Sequence, residues 1–375
     1  MNVRRVIETQ AEFTELLVRL REELVIAADT EAASFHRYHD RVYLLQLSNR
    51  SDTWLVDPLA LPGLPGFGDL LADPGIEFVF HDADYDLRLL GHEFGFRAAR
   101  LFDTRVAAQF LNEPAVGLAA LLERYFDARL DKQYQRADWS RRPLAAPMLE
   151  YAATDTRHLP ALRDLLHARL AACGRLSWVE EECELLTEVR WPEPVSAALE
   201  ALQVKGTRKL TPRALGVFRE LYVWRDATAR QLDRAAFRVL GNEVMLSLAE
   251  RPPRNLADLA QVRGVGRDLV GRRGEEVLEA IQRGLALSDQ DLPRFPRNPR
   301  HRPDPSFDGR LEKLKVIRND LASRYQLPLG VLAPNWLLEA IARARPAGLT
   351  ELAGIPGIRR WQLKEFGPEL LSAIV

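Results

Sequence analysis

The chain has 375 residues, 47% of them hydrophobic and 28% charged, and a formal net charge of −1. That length exceeds what one core ordinarily serves, so two or three domains are expected, with the composition of a soluble globular protein. The balanced charge excludes a global pull on nucleic acid and leaves only local basic patches for contact with a polyanion. Thr9-Gln-Ala-Glu12 is a capping box that opens an amphipathic helix, and Met1-Asn-Val-Arg-Arg ahead of it is no secretory signal. No apolar run reaches about 18 residues, so no membrane segment is expected and the location is read as cytoplasmic. Strand candidates follow at 24–28, 42–48, 54–57 and 77–81, with short connections that suggest an antiparallel meander at the start. Helices are expected at 84–93 and 104–110, and helical periodicity runs almost throughout from about 117.

The acids placed on these elements carry the chemistry. Asp29 and Glu31 follow the apolar run Leu24-Val25-Ile26-Ala27-Ala28 and, two apart on a strand, share one face. Tyr151 and Asp155 are four apart in a helical stretch, so they share a face too, and Asp86 lies between the two pairs. Several oxygen donors with no thiolate or imidazole partner suit a hard cation such as Mg²⁺ or Mn²⁺. Two such ions about 3.5–4 Å apart are a standard arrangement for in-line cleavage of a phosphodiester.

Beyond residue 200 the chain repeats itself at a spacing of 93. Trp224-Arg225-Asp226 faces Ile317-Arg318-Asn319, Asn242 faces Asn335, Leu256 faces Leu349, and Gly264 faces Gly357. The constant register predicts a duplicated helical bundle, with Val262-Arg-Gly-Val-Gly266 and Ile355-Pro-Gly-Ile358 as turns. Trp224 and Trp336 are expected to pack inside the two copies. Basic residues gather at 204–213 and at Arg263, Arg267, Arg272 and Arg273, and each set is more ordinarily solvated surface than a site. The stretch 292–306, rich in proline and arginine, reads as a semi-rigid linker. Cys173 and Cys183 have neither metal spacing nor a disulfide framework.

Five blocks in order resemble the tyrosine-bearing branch of the DEDD 3′→5′ exonucleases, in particular bacterial ribonuclease D. They are Ala28-Asp29-Thr30-Glu31, His81-Asp-Ala-Asp-Tyr-Asp86-Leu, Leu101-Phe-Asp-Thr104, Lys132…Gln135-Arg-Ala-Asp-Trp-Ser-Arg-Arg-Pro-Leu144 and Tyr151-Ala-Ala-Thr-Asp155. The duplicated tail resembles tandem HRDC (helicase and ribonuclease D C-terminal) domains. The resemblance implies an α/β ribonuclease H-like core with a mixed central sheet, followed by two all-α HRDC bundles. It divides the chain into an exonuclease domain at 1–172, a helical linker at 173–210, HRDC bundles at 211–289 and 309–375, and a linker at 290–308 between them. It also implies Asp29, Glu31, Asp86 and Asp155 as ligands of two divalent cations, Mg²⁺ or Mn²⁺, with Tyr151 orienting the attacking water. A phenol with an ordinary pKa near ~10 is a poor base at neutral pH, so positioning is the role open to it. Two departures stand out: Ala32 where the family is often aromatic, and Asp82 after His81 where a small residue is commoner.

The remaining residues divide between function and packing. Arg136, Trp139, Arg141 and Arg142 form an aromatic set among arginines suited to holding a single strand, and Trp139 serves equally well as a core anchor. Asp103 is expected to cap a helix, Asp82 and Asp84 to be solvated or capping, and His81 to be a structural hydrogen-bonder. The expectation is a metal-dependent 3′→5′ exoribonuclease trimming structured RNA such as precursor tRNA, with DNA a possible substrate. A DNA exonuclease or a non-catalytic nucleic-acid-binding scaffold are the rival readings. The bundles should raise affinity and leave the chemical step alone, so a chain ending near residue 172 is expected to keep hydrolysis of a short single strand.

Overall fold

Asp29 and Glu31 sit within the strand that the apolar run begins, because strand β1 spans Val25–Glu31. In the computed structural model, which describes residues 6–61, 63–130, 132–295 and 304–374, β1 is the middle of a five-stranded sheet. The others are β2 (Leu44–Ser48), β3 (Thr53–Val56), β4 (Glu77–Phe80) and β5 (Leu101–Asp103), in the order β3-β2-β1-β4-β5. β1, β2 and β3 form the expected antiparallel meander, while β4 and β5 continue the sheet in parallel. β2 and β4 are buried at every position, as strands covered on both faces should be.

The helices around the sheet follow their sequence signals closely. Thr9 caps the Gln10–Leu20 helix, whose Phe13, Leu16, Leu17 and Leu20 recur at helical spacing and are buried. The Thr104–Phe110 helix has the expected bounds and is capped by Asp103, whose carboxylate accepts from the N–H of Arg105 (2.8 Å) and Val106 (3.2 Å). Asp103 also accepts from Asp82 and Ala83 N–H, tying the two strand ends beside the cleft together. β5 was not among the strand candidates: with three residues it is too short to show a period.

Among the described residues the tail is two bundles of five helices each. The first holds Pro212–Gln231, Ala236–Val239, Asn242–Glu250, Leu256–Gln261 and Arg267–Ala286. The second holds Phe307–Tyr325, Leu329–Leu332, Asn335–Ala344, Leu349–Ala353 and Arg360–Ser372, opening two residues before the expected 309. The last four helices of each copy start 93 residues apart. The repeat has a physical reason: Arg225 is buried and donates to Asn242 Oδ1 (2.6 Å) and Leu240 O, while Arg318 does the same to Asn335 Oδ1 (2.6 Å) and Ala333 O. Gly264 and Gly357 both hold positive φ, +91° and +89°, at the predicted turns. Trp224 is buried as expected, with Nε1 donating to Glu276. Trp336 is not, lying 54% exposed across Gly357.

The two bundles dock differently. The first leans on the segment after β1: Ala235 N–H donates to His36 O, Tyr38 Oη to Asp226 (2.7 Å), and the Phe35 and Phe237 rings meet edge to face. The second joins the exonuclease core itself, with Trp178 stacked on Trp361 at 4.6 Å and Arg175 donating to Tyr325 O. Trp178 belongs to the Leu176–Thr187 helix, which falls in the region expected to be a linker. That helix is core instead: Trp178, Val179 and Cys183 are buried, and Cys183 Sγ accepts from Asp103 N–H. The proline- and arginine-rich stretch expected as a linker falls largely at 296–303, outside the described residues. Among the described residues no helix is long and apolar enough to cross a membrane.

Candidate active site

β1 outruns its parallel neighbour. It pairs with β4 only at Val25, Ile26 and Ala27, whereas its pairing with β2 continues to Glu31. The last turn of the strand therefore opens a crevice on the β4 side, at the carboxyl ends of strands where ligands collect in open α/β sheets. Glu31 O accepts from Tyr43 N–H, so the main chain of Thr30 faces the crevice. The Asp84–Phe94 helix fills that edge: Asp86 Oδ1 accepts from both Thr30 N–H (3.0 Å) and the Thr30 hydroxyl. Asp86 is thus pinned to the strand that carries Asp29 and Glu31.

The opposite wall is the Ala146–Arg157 helix, which carries Tyr151 and Asp155 on one face as their spacing predicted. Oxygen atoms of Asp29, Glu31 and Asp155 all lie within 4.8 Å of one another. Burial and the neighbouring carboxylates of Asp86 and Asp155 hold Asp29 well above the usual carboxylate range, and burial with Asp29, Asp155 and Asp86 does the same to Glu31. Burial also pushes Asp86 and Asp155 up to about 7, against hydrogen bonds from Thr30 and Tyr151 that pull the other way. Burial and the surrounding acids raise the Tyr151 phenol, so it stays protonated at neutral pH and serves as a donor. Carboxylates crowded in this way are destabilised by one another, and a divalent cation relieves the repulsion; an all-oxygen donor set fits a hard one.

Asp29, Glu31, Tyr151 and Asp155 line a cleft of about 570 Å³ together with His81, Arg105, Gln135 and the start of the Leu118–Phe126 helix, whereas Asp86 is not among the residues lining it. His81 faces Thr104 Oγ1 at 2.9 Å, and burial lowers its pKa to about 4, so it is neutral, as a structural hydrogen-bonder should be. Asp82 pairs with Arg105 and Asp84 with Arg88. Sequence reasoning overlooked Arg105, which carries no spacing signal and reaches the cleft only through the fold, and named Gln135 only as part of a resembling block, without a role.

Of the aromatic and basic set, the structure divides the four residues. Trp139 is fully buried, its ring 6.2 Å from that of Tyr151, and so offers no face to a base; of the two readings the packing one fits. Arg142 is committed to Asp57 and to Tyr43 O, which makes it a strut between loop and sheet rather than a free cation. Arg136 lies over the Phe35 ring, and Arg141 pairs with Asp138 while remaining largely exposed. Both guanidinium-bearing residues remain exposed. Gln46 stands directly opposite Asp29 on β2, fully buried, with neither side-chain polar atom partnered among the described residues.

Comparison with known proteins adds independent findings. Residues 4–171 match the 3′-5′ exonuclease family, and residues 214–281 and 307–374 each match the HRDC domain, again 93 apart. The ribonuclease D of Gluconacetobacter diazotrophicus is 32% identical over 372 residues, covering 98% of this chain and 91% of that protein. A crystal structure of a protein from Bifidobacterium adolescentis is similar over 100% of this chain and 97% of its own, at TM-score 0.85 and 25% identity. Escherichia coli RNase D, described as an exoribonuclease involved in structured RNA processing, shares the fold at TM-score 0.72 and 24% identity, over 100% of this chain and 99% of its own.

Proposed function

The chain belongs to the ribonuclease D family of 3′→5′ exoribonucleases, and from that premise we propose that it trims the 3′ ends of structured RNA, such as precursor tRNA, by two-metal-ion hydrolysis at Asp29, Glu31, Asp86 and Asp155. The observation that supports this is the cluster itself: carboxylates of Asp29, Glu31 and Asp155 within 4.8 Å, Asp155 buried and the other two half-buried, mutually repelling at the open end of β1. Mg²⁺ or Mn²⁺ bound there would supply an acidified water and positive charge opposite the phosphate oxygens. The residues do the rest. Asp86, held by Thr30, and Asp155, held by Tyr151, fix the two sides of the donor set. The Tyr151 phenol, protonated at neutral pH, orients the attacking water by a hydrogen bond and does not remove its proton. His81 is neutral and occupied by Thr104, so it is no rival base.

We place RNA, not DNA, in the cleft on the strength of the family. The scaffold reading is set aside, since the family is one of enzymes. The test is hydrolysis of a 3′-extended tRNA by the wild type and by Asp155→Ala, with Mg²⁺ or Mn²⁺ and then with chelator. Stepwise 3′ shortening that requires both the metal and Asp155 is expected. Shortening that survives either loss would overturn the assignment, and a matched DNA strand in the same gel reads the sugar preference.

A further inference from the structure

A buried side-chain amide without a hydrogen-bond partner carries a desolvation penalty that folded chains ordinarily avoid, so one that stands beside a cluster of acids calls for a reason. Gln46 is such an amide. It lies in the middle of β2 with no exposed surface, and neither Nε2 nor Oε1 has a partner among the described residues. Its neighbours on the same face of the strand are satisfied. Two positions on, the Ser48 hydroxyl meets those of Thr53 and Thr156 at 2.8 and 2.7 Å. Two positions back, Leu44 belongs to the apolar cluster of Trp139, Ala152 and Ala153.

The register of the sheet says what this amide faces. Gln46 stands directly across from Asp29, and directly opposed side chains of an antiparallel pair share a face with Cβ atoms about 4.5–5.5 Å apart. Its partner on β3 is the apolar Leu55, and Glu31 is matched with Leu44, so Asp29 is the acid that the ladder brings to Gln46. Asp86 is held by the N–H and hydroxyl of Thr30, and Asp155 by Tyr151. Asp29 has no side-chain donor among the described residues, only the main chain of Thr30 beside it. A donor without an acceptor therefore stands across from a carboxylate without a side-chain donor. The acceptor half of the amide has a counterpart too. Trp139 Nε1 is buried and unpartnered among the described residues, and its ring belongs to the cluster that holds Leu44 and Leu55, the two residues flanking Gln46 on this face.

We propose that Gln46 is a positioning residue for Asp29: its Nε2–H donates to one oxygen of the Asp29 carboxylate and so aims the other at a divalent cation, while Oε1 accepts the indole N–H of Trp139. The proposal rests on the metal-dependent reading of that carboxylate cluster. The terminal torsion of a glutamine is broad, so the amide plane turns to these partners without leaving its rotamer. A carboxylate that ligates a metal is ordinarily held by an outer hydrogen bond of this kind, and the holder acts on metal affinity. A donor to an ionised acceptor in a buried setting is also the stronger sort of hydrogen bond. The amide that burdens the metal-free protein is thereby satisfied in the loaded one. Gln46 does not line the cleft, so it acts on the cation only through Asp29 and makes no contact with RNA.

The test compares the full chain with Gln46→Met, which puts an unbranched apolar side chain of nearly the same length in its place. Calorimetric titration with Mg²⁺, using Asp155→Ala as the blank for other surface acids, should show affinity roughly 10–100-fold weaker in the variant. The metal-free thermal midpoint should hold or rise, because the substitution removes an unsatisfied buried amide. Affinity for a 3′-extended tRNA in chelator should match the wild type. Hydrolysis of a four-nucleotide single strand should be slow at low Mg²⁺ and recover as Mg²⁺ is raised. Gln46→Leu repeats the comparison with a stiffer side chain. Wild-type Mg²⁺ affinity in either variant would overturn the proposal. Weakened affinity accompanied by a lowered midpoint in both would overturn it too, since that is the signature of a packing role. A wild type that takes up no more Mg²⁺ than the blank would instead sink the active-site reading, and this proposal with it.

Discussion

Asp155 carries two opposed demands, since it must be ionised to hold a cation but sits buried beside Asp29 and Glu31. Replacing it with Asn removes a charge and nearly preserves shape. We expect Asp155→Asn to raise the thermal midpoint of the metal-free protein at pH 8 while lowering hydrolysis by roughly 10²–10³-fold or more, a trade of activity for stability. Calorimetry beside a gel assay checks it, and a lower metal-free midpoint would contradict it. Burial of these acids also sets a pH dependence. Asp86 and Asp155 have folded-state values raised to about 7, above the unfolded carboxylate value, so the folded state binds more protons across that interval. Their contribution is fully present below about pH 4 and is lost as the pH rises through 7. The metal-free midpoint should therefore fall from this source between those limits, and added Mg²⁺ or Mn²⁺ should raise it most at the alkaline end. A cation effect that is largest at pH 5 would exclude the mechanism. At this scale the pairs Asp29/Glu31 and Tyr151/Asp155 were readable from spacing, because strand and helix periods state which side chains share a face, whereas Asp86 was named through the resemblance. The fates of Trp139 and Arg142 were not, since the partners that decide them, Tyr151 and Asp57, lie 12 and 85 positions away.

Among the elements, long periodic segments declared themselves, and the antiparallel meander followed from the short connections between β1, β2 and β3. What spacing could not show was allegiance. The Leu176–Thr187 helix looks like any amphipathic connector, yet its Trp178, Val179 and Cys183 complete the packing beneath β5. The repeat, by contrast, was legible to single residues, because Arg225 and Asn242 form a buried pair that Arg318 and Asn335 form again. Loss of one such arginine leaves a buried Asn and carbonyl without a donor, a cost of about 1–3 kcal/mol before any cavity. The two substitutions should nevertheless read differently. The first bundle has its own apolar core, while the second shares one with the exonuclease region. Arg225→Ala should give an early, separate unfolding step that spares hydrolysis of a four-nucleotide strand. Arg318→Ala should lower the temperature at which that hydrolysis is lost. Identical thermal inactivation of the two variants would show that the cores are not independent.

At the scale of the whole molecule, the unequal docking changes what truncation can reveal. The sequence suggested that a chain ending near residue 172 would keep its chemistry, because the carboxylates and Tyr151 all precede that point. The structure argues otherwise. Such a cut removes Trp178, Val179 and Cys183, each buried against the exonuclease region, and truncating one aromatic of this size in a core costs about 3–5 kcal/mol. That compares with a total stability of about 5–15 kcal/mol for a typical domain. The 1–172 chain is expected to lose cooperative unfolding, and hydrolysis of even a four-nucleotide strand with it, through loss of fold rather than of any group that touches the phosphate. A chain ending at 210 keeps the Leu176–Thr187 helix but bares the Trp178 face that stacks on Trp361. It should fold with a lower midpoint, cleave the short strand, and bind a 3′-extended tRNA less tightly than the full chain. Near-ultraviolet circular dichroism and the short-strand assay, run on both chains, separate the causes. If the 1–172 chain proves folded and active, the Leu176–Thr187 helix is the connector its position in sequence suggested. If only the 1–210 chain is, that helix is the last structural element of the nuclease, and the bundles can then be judged by their effect on binding alone.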